Sequence, residues 1–132
     1  RLACRRNNAM RWVERLAACE AIRIACPPDG VEHAYYKFYF FVVPTKLKPD
    51  WDRDRIVNAI SEQGIPIGSG ACGEVYREKG FEKIITSPQK ALKNAVELAE
   101  TSVMLEVHHL LNFEHIDSMA DVVLDVMSSA MA

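Results

Sequence analysis

The strongest restriction on the fold comes from an aromatic segment, residues 33–43, which is rich in the Tyr, Phe and Val that favour β-strands. Successive side chains of a strand point to opposite faces. The two faces here would be Tyr36/Phe38/Phe40/Val42 and Tyr35/Lys37/Tyr39/Phe41. Since only one of these side chains is charged, neither face suits open water. The segment therefore predicts a strand covered on both faces, on one by the core and on the other by helices or another chain.

Apolar residues at helical spacing predict four helices around this strand. Their starts are indicated by capping side chains or by proline at the first helical position, and one end by glycine. On these signals the helices are residues 5–21, a second starting at Asp50 or Asp52 and ending at Gly64, a third starting at Ser87-Pro88, and a fourth starting at Asn112.

Three shorter strands are predicted at residues 22–25, 65–67 and 103–107. The order of elements is then α-β-β-α-β-α-β-α, with no internal repeat, low-complexity tract or linker. A chain of 132 residues can bury well over half of its unfolded surface. We therefore predict one domain, residues 1–132, of the α/β class with a sandwich architecture.

Charge and cysteine usage exclude several classes of function. The formal net charge of −2 gives no reason to expect nucleic acid or an anionic membrane as partner. The longest apolar run, residues 38–44, is too short to span a bilayer. The cysteines show no CxxC pair or zinc spacing, so we expect no metal site and interpret them as reduced thiols of a cytosolic protein. Cys19 and Cys26, which end apolar stretches, are expected to be buried.

A glycine-rich loop, residues 68–76, is the candidate binding segment. Its three glycines, which lie within six residues, permit positive φ and close approach of a ligand to backbone N–H groups, as in an anion nest. It is not a phosphate-binding Walker motif, because no Gly-Lys-Ser/Thr follows. Glu74 and Tyr76 can hydrogen-bond a substrate hydroxyl. The alternatives are a surface turn with a solvated acid, and a tyrosine closing over the edge of the core.

Histidines and one lysine near the predicted strand ends carry no diagnostic catalytic pattern. His33, His108 and His109 are interpreted as hydrogen-bonded structural residues. Lys37 can in principle form a Schiff base, but a lysine reaching to solvent or paired with an acid is favoured. The residues alone thus predict a cytosolic α/β domain with one candidate loop and no catalytic constellation.

Several segments, taken in order, resemble the C-terminal part of the DegT/StrS family of sugar-nucleotide aminotransferases. Their order and spacing carry the resemblance, since each piece alone is weak. The segments are Arg6-Asn7-Asn8-Ala9 with Trp12 and Leu16, His33-Ala34-Tyr35-Tyr36-Lys37-Phe38-Tyr39, Arg53, Gly64-Ile65-Pro66, Gly68-Ser69-Gly70-Ala71-Cys72-Gly73-Glu74-Val75-Tyr76 and Thr101-Ser102-Val103-Met104-Leu105-Glu106-Val107-His108.

The resemblance implies an α+β two-layer sandwich, the small C-terminal domain of a fold-type-I enzyme, with a short antiparallel or mixed sheet covered by helices. It implies a homodimeric, cytoplasmic parent that uses pyridoxal phosphate to move an amino group, usually from glutamate, onto a keto-sugar nucleotide. The lysine that holds the cofactor would lie outside this chain. We therefore expect no catalytic, cofactor-binding or metal-binding residue here, and no activity from the fragment alone.

The same resemblance implies that the loop contacts substrate through Ser69, Gly70, Glu74 and Tyr76. Many relatives have His-Tyr near the places of Ser69 and Gly70, which leaves backbone N–H groups and the Ser69 hydroxyl as donors here. Two alternatives stay open. One is a stand-alone ligand-binding or regulatory α/β domain without catalysis, and the other is a relative that dehydrates or regulates instead of transaminating.

Overall fold

The computed structural model describes residues 1–70, 72–81, 83–84, 90 and 92–132. Within them the α/β class and the order of elements are confirmed. Short 3-10 turns occur at Pro44–Lys46, Val75–Arg77 and Lys79–Phe81. The helices and strands are α1 (Leu2–Leu16), β1 (Ile22–Ile24), β2 (Phe38–Val42), α2 (Arg53–Glu62), β3 (Ile67–Ser69), α3 (Lys93–Thr101), β4 (Ser102–Leu105) and α4 (Phe113–Ala130).

The strands that the structure describes form one antiparallel sheet in the order β1-β2-β4-β3. The aromatic strand β2 is central, with Phe40 opposite Ile24 of β1 on one side and Val103 of β4 on the other. The strand is shorter than the predicted 33–43, because Tyr35 has a φ of 45° and interrupts the extended backbone before Phe38.

One face of β2 is covered within the strand, but Tyr36, which the sequence assigns to the same face, lies before β2 and is 76% exposed. Phe38, Phe40 and Val42 are buried, and α1, α2 and α4 contribute buried side chains to the same core. The other face is only partly covered, because α3 is short and leaves Tyr39 38% exposed. Helices therefore cover both faces to unequal degrees.

Two of the predicted helix caps are confirmed. The Asp52 carboxylate accepts a hydrogen bond from the Arg55 N–H at 2.8 Å at the start of α2. Asn112 and His115 form a reciprocal capping box at the start of α4. The cap predicted at Ser87-Pro88 lies outside the described residues.

The four cysteines are free thiols in this structure. Cys19 is half-buried, whereas Cys26 is exposed, so the predicted burial of Cys26 is wrong. The reason is its position just past β1, an edge strand whose last paired residue is Ile24. Among the described residues, no helix has the length and apolar character needed to cross a membrane, and no group of side chains suits a metal ion.

Asp117 joins α1 to α4. Its carboxylate accepts hydrogen bonds from Arg11 Nε and Nη2 at 2.8 and 2.7 Å and from Arg15 Nη1 at 2.9 Å. The hydrogen bonds from Arg11, followed by those from Arg15, lower the pKa of Asp117 from 3.8 to about 2. The ionised carboxylate is thus favoured by folding.

We expect Asp117→Asn to destabilise the protein at pH 7 and to flatten its acid dependence. Because the folded pKa is depressed, the stabilisation by Asp117 is present above about pH 4 and is lost as the pH falls toward 2. Both effects are measured by the free energy of unfolding in urea, determined at pH 7 and at a series of pH values between 4 and 2. Asp125→Asn, a change at an exposed position of the same helix, is the control. Parallel pH profiles for wild type and Asp117→Asn would contradict the prediction.

Candidate functional site

The loop after β3 begins by continuing the pairing of that strand with β4. The Gly70 N–H donates to the Ser102 carbonyl at 3.2 Å. A Cβ at position 70 would lie 2.6 Å from the Ser102 Cβ, closer than real side chains approach. Glycine is therefore required here by close packing against β4. The Gly70 N–H, which the sequence offered as a ligand donor, is already engaged within the protein.

Farther along, the loop packs directly on α3. A Cβ at Gly73 would lie 2.4 Å from the Ala95 carbonyl oxygen and 2.5 Å from the Ala99 Cβ. Gly70 and Gly73 do not have positive φ. The glycines at these positions thus allow the loop to pack closely against β4 and α3 and do not serve to give a positive φ.

Glu74 ties the loop to Leu92, the cap residue that precedes α3. Its carboxylate accepts hydrogen bonds from the Leu92 N–H at 3.1 Å and from the Tyr76 hydroxyl, and it forms an ion pair with Arg77 Nε at 2.9 Å. Leu92 occupies the cap position of α3, so Glu74 supplies the capping acceptor. The side chain of Glu74 is only 7% exposed, and the interpretation as a solvated acid is therefore wrong.

The hydrogen bond between Glu74 and Tyr76 shifts the pKa values of the two residues in opposite directions. It lowers the pKa of Glu74 and raises the pKa of Tyr76, because the phenol stabilises the carboxylate and the carboxylate stabilises the protonated phenol. The Tyr76 hydroxyl also lies 3.4 Å from the Lys90 carbonyl oxygen. At neutral pH the Glu74 carboxylate is therefore ionised and accepts the hydrogen bond, while the Tyr76 hydroxyl is protonated and donates it.

The predicted residues meet at a cavity of about 460 Å³, called here the loop cleft. Ser69, Gly70 and Glu74 line it, whereas Tyr76 does not and is joined to it through Glu74. The other residues lining the loop cleft are Arg53, Cys72, Gly73, Arg77, Glu78 and Ala99.

The chemistry of the loop cleft suits hydrogen bonding more than covalent reaction. Ser69 is exposed at the end of β3, where its hydroxyl can donate or accept. The Cys72 thiol donates to Glu78 Oε1 at 3.0 Å, and this bond raises the pKa of Cys72. A thiol kept protonated is a poor nucleophile. A ligand with hydroxyl groups fits this lining.

The sequence analysis named Arg53 only as part of the resemblance, yet this residue lines the loop cleft. Its Nη1 donates to the carbonyl oxygens of Ala99 and Ser102, both at 2.9 Å. The available sequence signal was a cation at the first position of α2, where the helix dipole favours acids. That signal does not identify its partners, which lie more than forty residues away.

Lys37 does not enter the loop cleft. Its Nζ lies 3.7 Å from Glu106 Oε1, and the other oxygen of Glu106 lies 3.2 Å from His108 Nε2. The predicted pairing of Lys37 with an acid is confirmed. His33 is also structural, since its Nδ1 accepts the Tyr35 N–H at 2.9 Å.

No family model and no curated protein matches the chain. Solved structures do match it. An aminotransferase from Psychrobacter cryohalolentis is 33% identical, with 98% of this chain and 35% of that chain covered and a TM-score of 0.88.

Two more distant structures share the fold. A DegT DnrJ EryC1 StrS aminotransferase from Brucella abortus is 17% identical, with 94% of this chain and 30% of that chain covered and a TM-score of 0.74. The E. coli GDP-4-keto-6-deoxy-D-mannose-3-dehydratase with bound hydrated PLP is 18% identical, with 92% and 30% covered and a TM-score of 0.74. The chain thus spans about a third of the length of the structures it matches.

Proposed function

Because the chain has the fold of the small C-terminal domain of DegT/DnrJ/EryC1/StrS-type aminotransferases, we propose that it works within a pyridoxal-phosphate-dependent sugar aminotransferase. The parent would move an amino group from glutamate onto a keto-sugar nucleotide. The observation that carries the proposal is the 33% identity to an aminotransferase over 98% of this chain, at a TM-score of 0.88.

The role proposed for this domain is to close the active site and contact the substrate through the loop cleft. Ser69 supports this role, since its hydroxyl is exposed beside Gly70 at the end of β3. Glu74 and Tyr76 would contribute by fixing the loop, since the Glu74 carboxylate already accepts hydrogen bonds from Tyr76 and Leu92 and pairs with Arg77. A preorganised loop lowers the cost of ordering on substrate binding.

The cofactor would be held outside these residues. Bound pyridoxal phosphate acts as an electron sink for the amino-group carbon. Covalent attachment requires a lysine presented to the cofactor, and Lys37 is instead paired with Glu106. Lys37 therefore does not fit the attachment site, and we propose that the lysine lies outside this chain.

The proposal is tested on the whole protein that the gene encodes. With glutamate and a panel of keto-sugar nucleotides, we expect 2-oxoglutarate and an amino sugar in equal amounts. After borohydride reduction, mass spectrometry should find one pyridoxyl-lysine outside residues 1–132. We also propose that the whole protein is a cytoplasmic homodimer. Sedimentation of the purified protein tests the oligomeric state.

The isolated chain is the control, and we expect it to show no turnover and no labelled lysine. Stoichiometric label on Lys37 would contradict the assignment of the cofactor to another part of the parent. Loss of water from the sugar without amino transfer would favour the dehydrating alternative, as in the E. coli enzyme of the same fold. No reaction and no cofactor in the whole protein would favour a regulatory domain.

A further inference from the structure

We propose that Arg53 is the positioning residue of the loop cleft, an inference that rests on the proposed function only for its effect on catalysis. The Ser102 carbonyl oxygen accepts both Arg53 Nη1 at 2.9 Å and the Gly70 N–H at 3.2 Å. The carbonyl of Ser102, the first residue of β4, thus joins the guanidinium to Gly70, the residue that follows β3.

Arg53 also closes the end of α3. The Ala99 carbonyl lies in the last turn of that helix, where carbonyls lack intrahelical partners, and Arg53 Nη1 donates to it at 2.9 Å. A cation is favourable at this end of a helix dipole. The position of Arg53 is unfavourable for α2 but favourable for α3, which accounts for arginine at the first residue of α2.

The loop contacts α3 and its cap residue through Gly73 and Glu74. Gly73 packs against the backbone of Ala95, and Glu74 accepts the N–H of Leu92. Arg53 holds the opposite end of the same helix. Fixing that end therefore fixes the surface on which the loop lies.

The guanidinium is itself held in place. Its side chain is 15% exposed, and Nε donates to Asp54 Oδ1 at 2.6 Å while Nη1 makes its two bonds to carbonyls. Charge-assisted hydrogen bonds of this kind are stronger than neutral ones, and their directions are set by the planar fork. Arg53 also lines the loop cleft, so its displacement would change the cleft directly.

The test compares Arg53→Gln with Arg53→Lys and with the control Arg55→Gln, all in the whole protein. Arg55 lies on the same helix and is also engaged, since its Nη1 bonds Asp50 at 2.7 Å and its guanidinium stacks on Trp51 at 4.3 Å. It does not line the loop cleft. Hydrogen exchange followed by mass spectrometry reports on the backbone of each segment.

In Arg53→Gln we expect exchange at Gly70 and at the end of α3 to become roughly tenfold to a hundredfold faster, the range for losing a charged hydrogen bond. Arg53→Lys should give a smaller increase at the same amides, and Arg55→Gln none. Unchanged exchange at Gly70 in Arg53→Gln, or an equal change in Arg55→Gln, would overturn the proposal. If Arg53→Gln does not fold, Arg53→Lys takes its place. Faster exchange throughout α4 in Arg53→Lys, instead of at Gly70 and the end of α3, would then overturn the proposal.

The kinetic readout separates positioning from general destabilisation. We expect Arg53→Gln to raise KM for the keto-sugar nucleotide by a larger factor than it lowers kcat, because misplaced loop donors weaken substrate binding. A fall in kcat with unchanged KM would refute positioning of the substrate loop. If wild type lacks aminotransferase activity, the proposed function fails, while the exchange result still decides the role of Arg53.

Discussion

Replacing Trp12 by alanine is expected to lower the free energy of unfolding by about 3–5 kcal/mol, the usual cost of removing a buried aromatic ring. Trp12 is 0% exposed and stacks on Phe38 of the central strand with ring centroids 6.2 Å apart. Its Nε1–H donates to the Glu106 carbonyl oxygen at 3.1 Å. The ring thus packs on β2 while its N–H holds the chain just past β4, and alanine would leave both a cavity and an unpaired carbonyl.

Urea unfolding of three variants separates these two contributions. Trp12→Phe keeps most of the apolar contact but leaves Glu106 without its donor, and we expect a loss of about 1–3 kcal/mol. Trp51→Ala is the control, because Trp51 is only partly buried against the core, and about 1 kcal/mol is expected. Similar midpoints for Trp12→Ala and Trp51→Ala at equal urea slope would contradict the prediction.

The features that sequence predicted correctly depend on neighbours close in the chain. Asp52 caps α2 and Asn112 caps α4 because each side chain reaches an N–H three residues away. Apolar spacing likewise predicted the helix α4, whose buried residues include Ile116 and Val123. Such signals need no knowledge of how the elements pack.

The features that sequence missed depend on contacts between distant parts of the chain. Glu74 is buried because it accepts the N–H of Leu92, eighteen residues later. Arg53 reaches carbonyls more than forty residues away. β3 is found at Ile67–Ser69 instead of residues 65–67, since its position is set by pairing with β4. Strand propensity alone does not select Gly68 and Ser69.

The loop cleft combines both kinds of feature. The glycine pattern located the loop, and Ser69, Gly70 and Glu74 do line one cavity. The role of glycine was not predictable, because it follows from how closely α3 and β4 approach the loop. Whether these residues bind substrate stays a prediction.

The second large effect is expected from Gly73→Ala, which should destabilise the protein by about 1–3 kcal/mol through overpacking. The added Cβ would lie 2.4 Å from the Ala95 carbonyl oxygen and 2.5 Å from the Ala99 Cβ. The Ala95 oxygen belongs to the backbone of α3 and the Ala99 Cβ is attached directly to that backbone, so neither atom can move away by a side-chain rotation. The loop or the helix must move.

Gly80→Ala is the matched control, because a Cβ there meets no atom of the described residues within 4 Å and its φ is not positive. We expect no loss of stability at position 80, since the space is open. In the whole protein, Gly73→Ala should also speed hydrogen exchange at Leu92, because displacing the loop separates the Glu74 carboxylate from that N–H. Equal unfolding midpoints for the two alanine variants would show that the loop does not lie against α3. The loop cleft would then not have this lining, since Gly73 and Ala99 line it together only if the loop contacts α3.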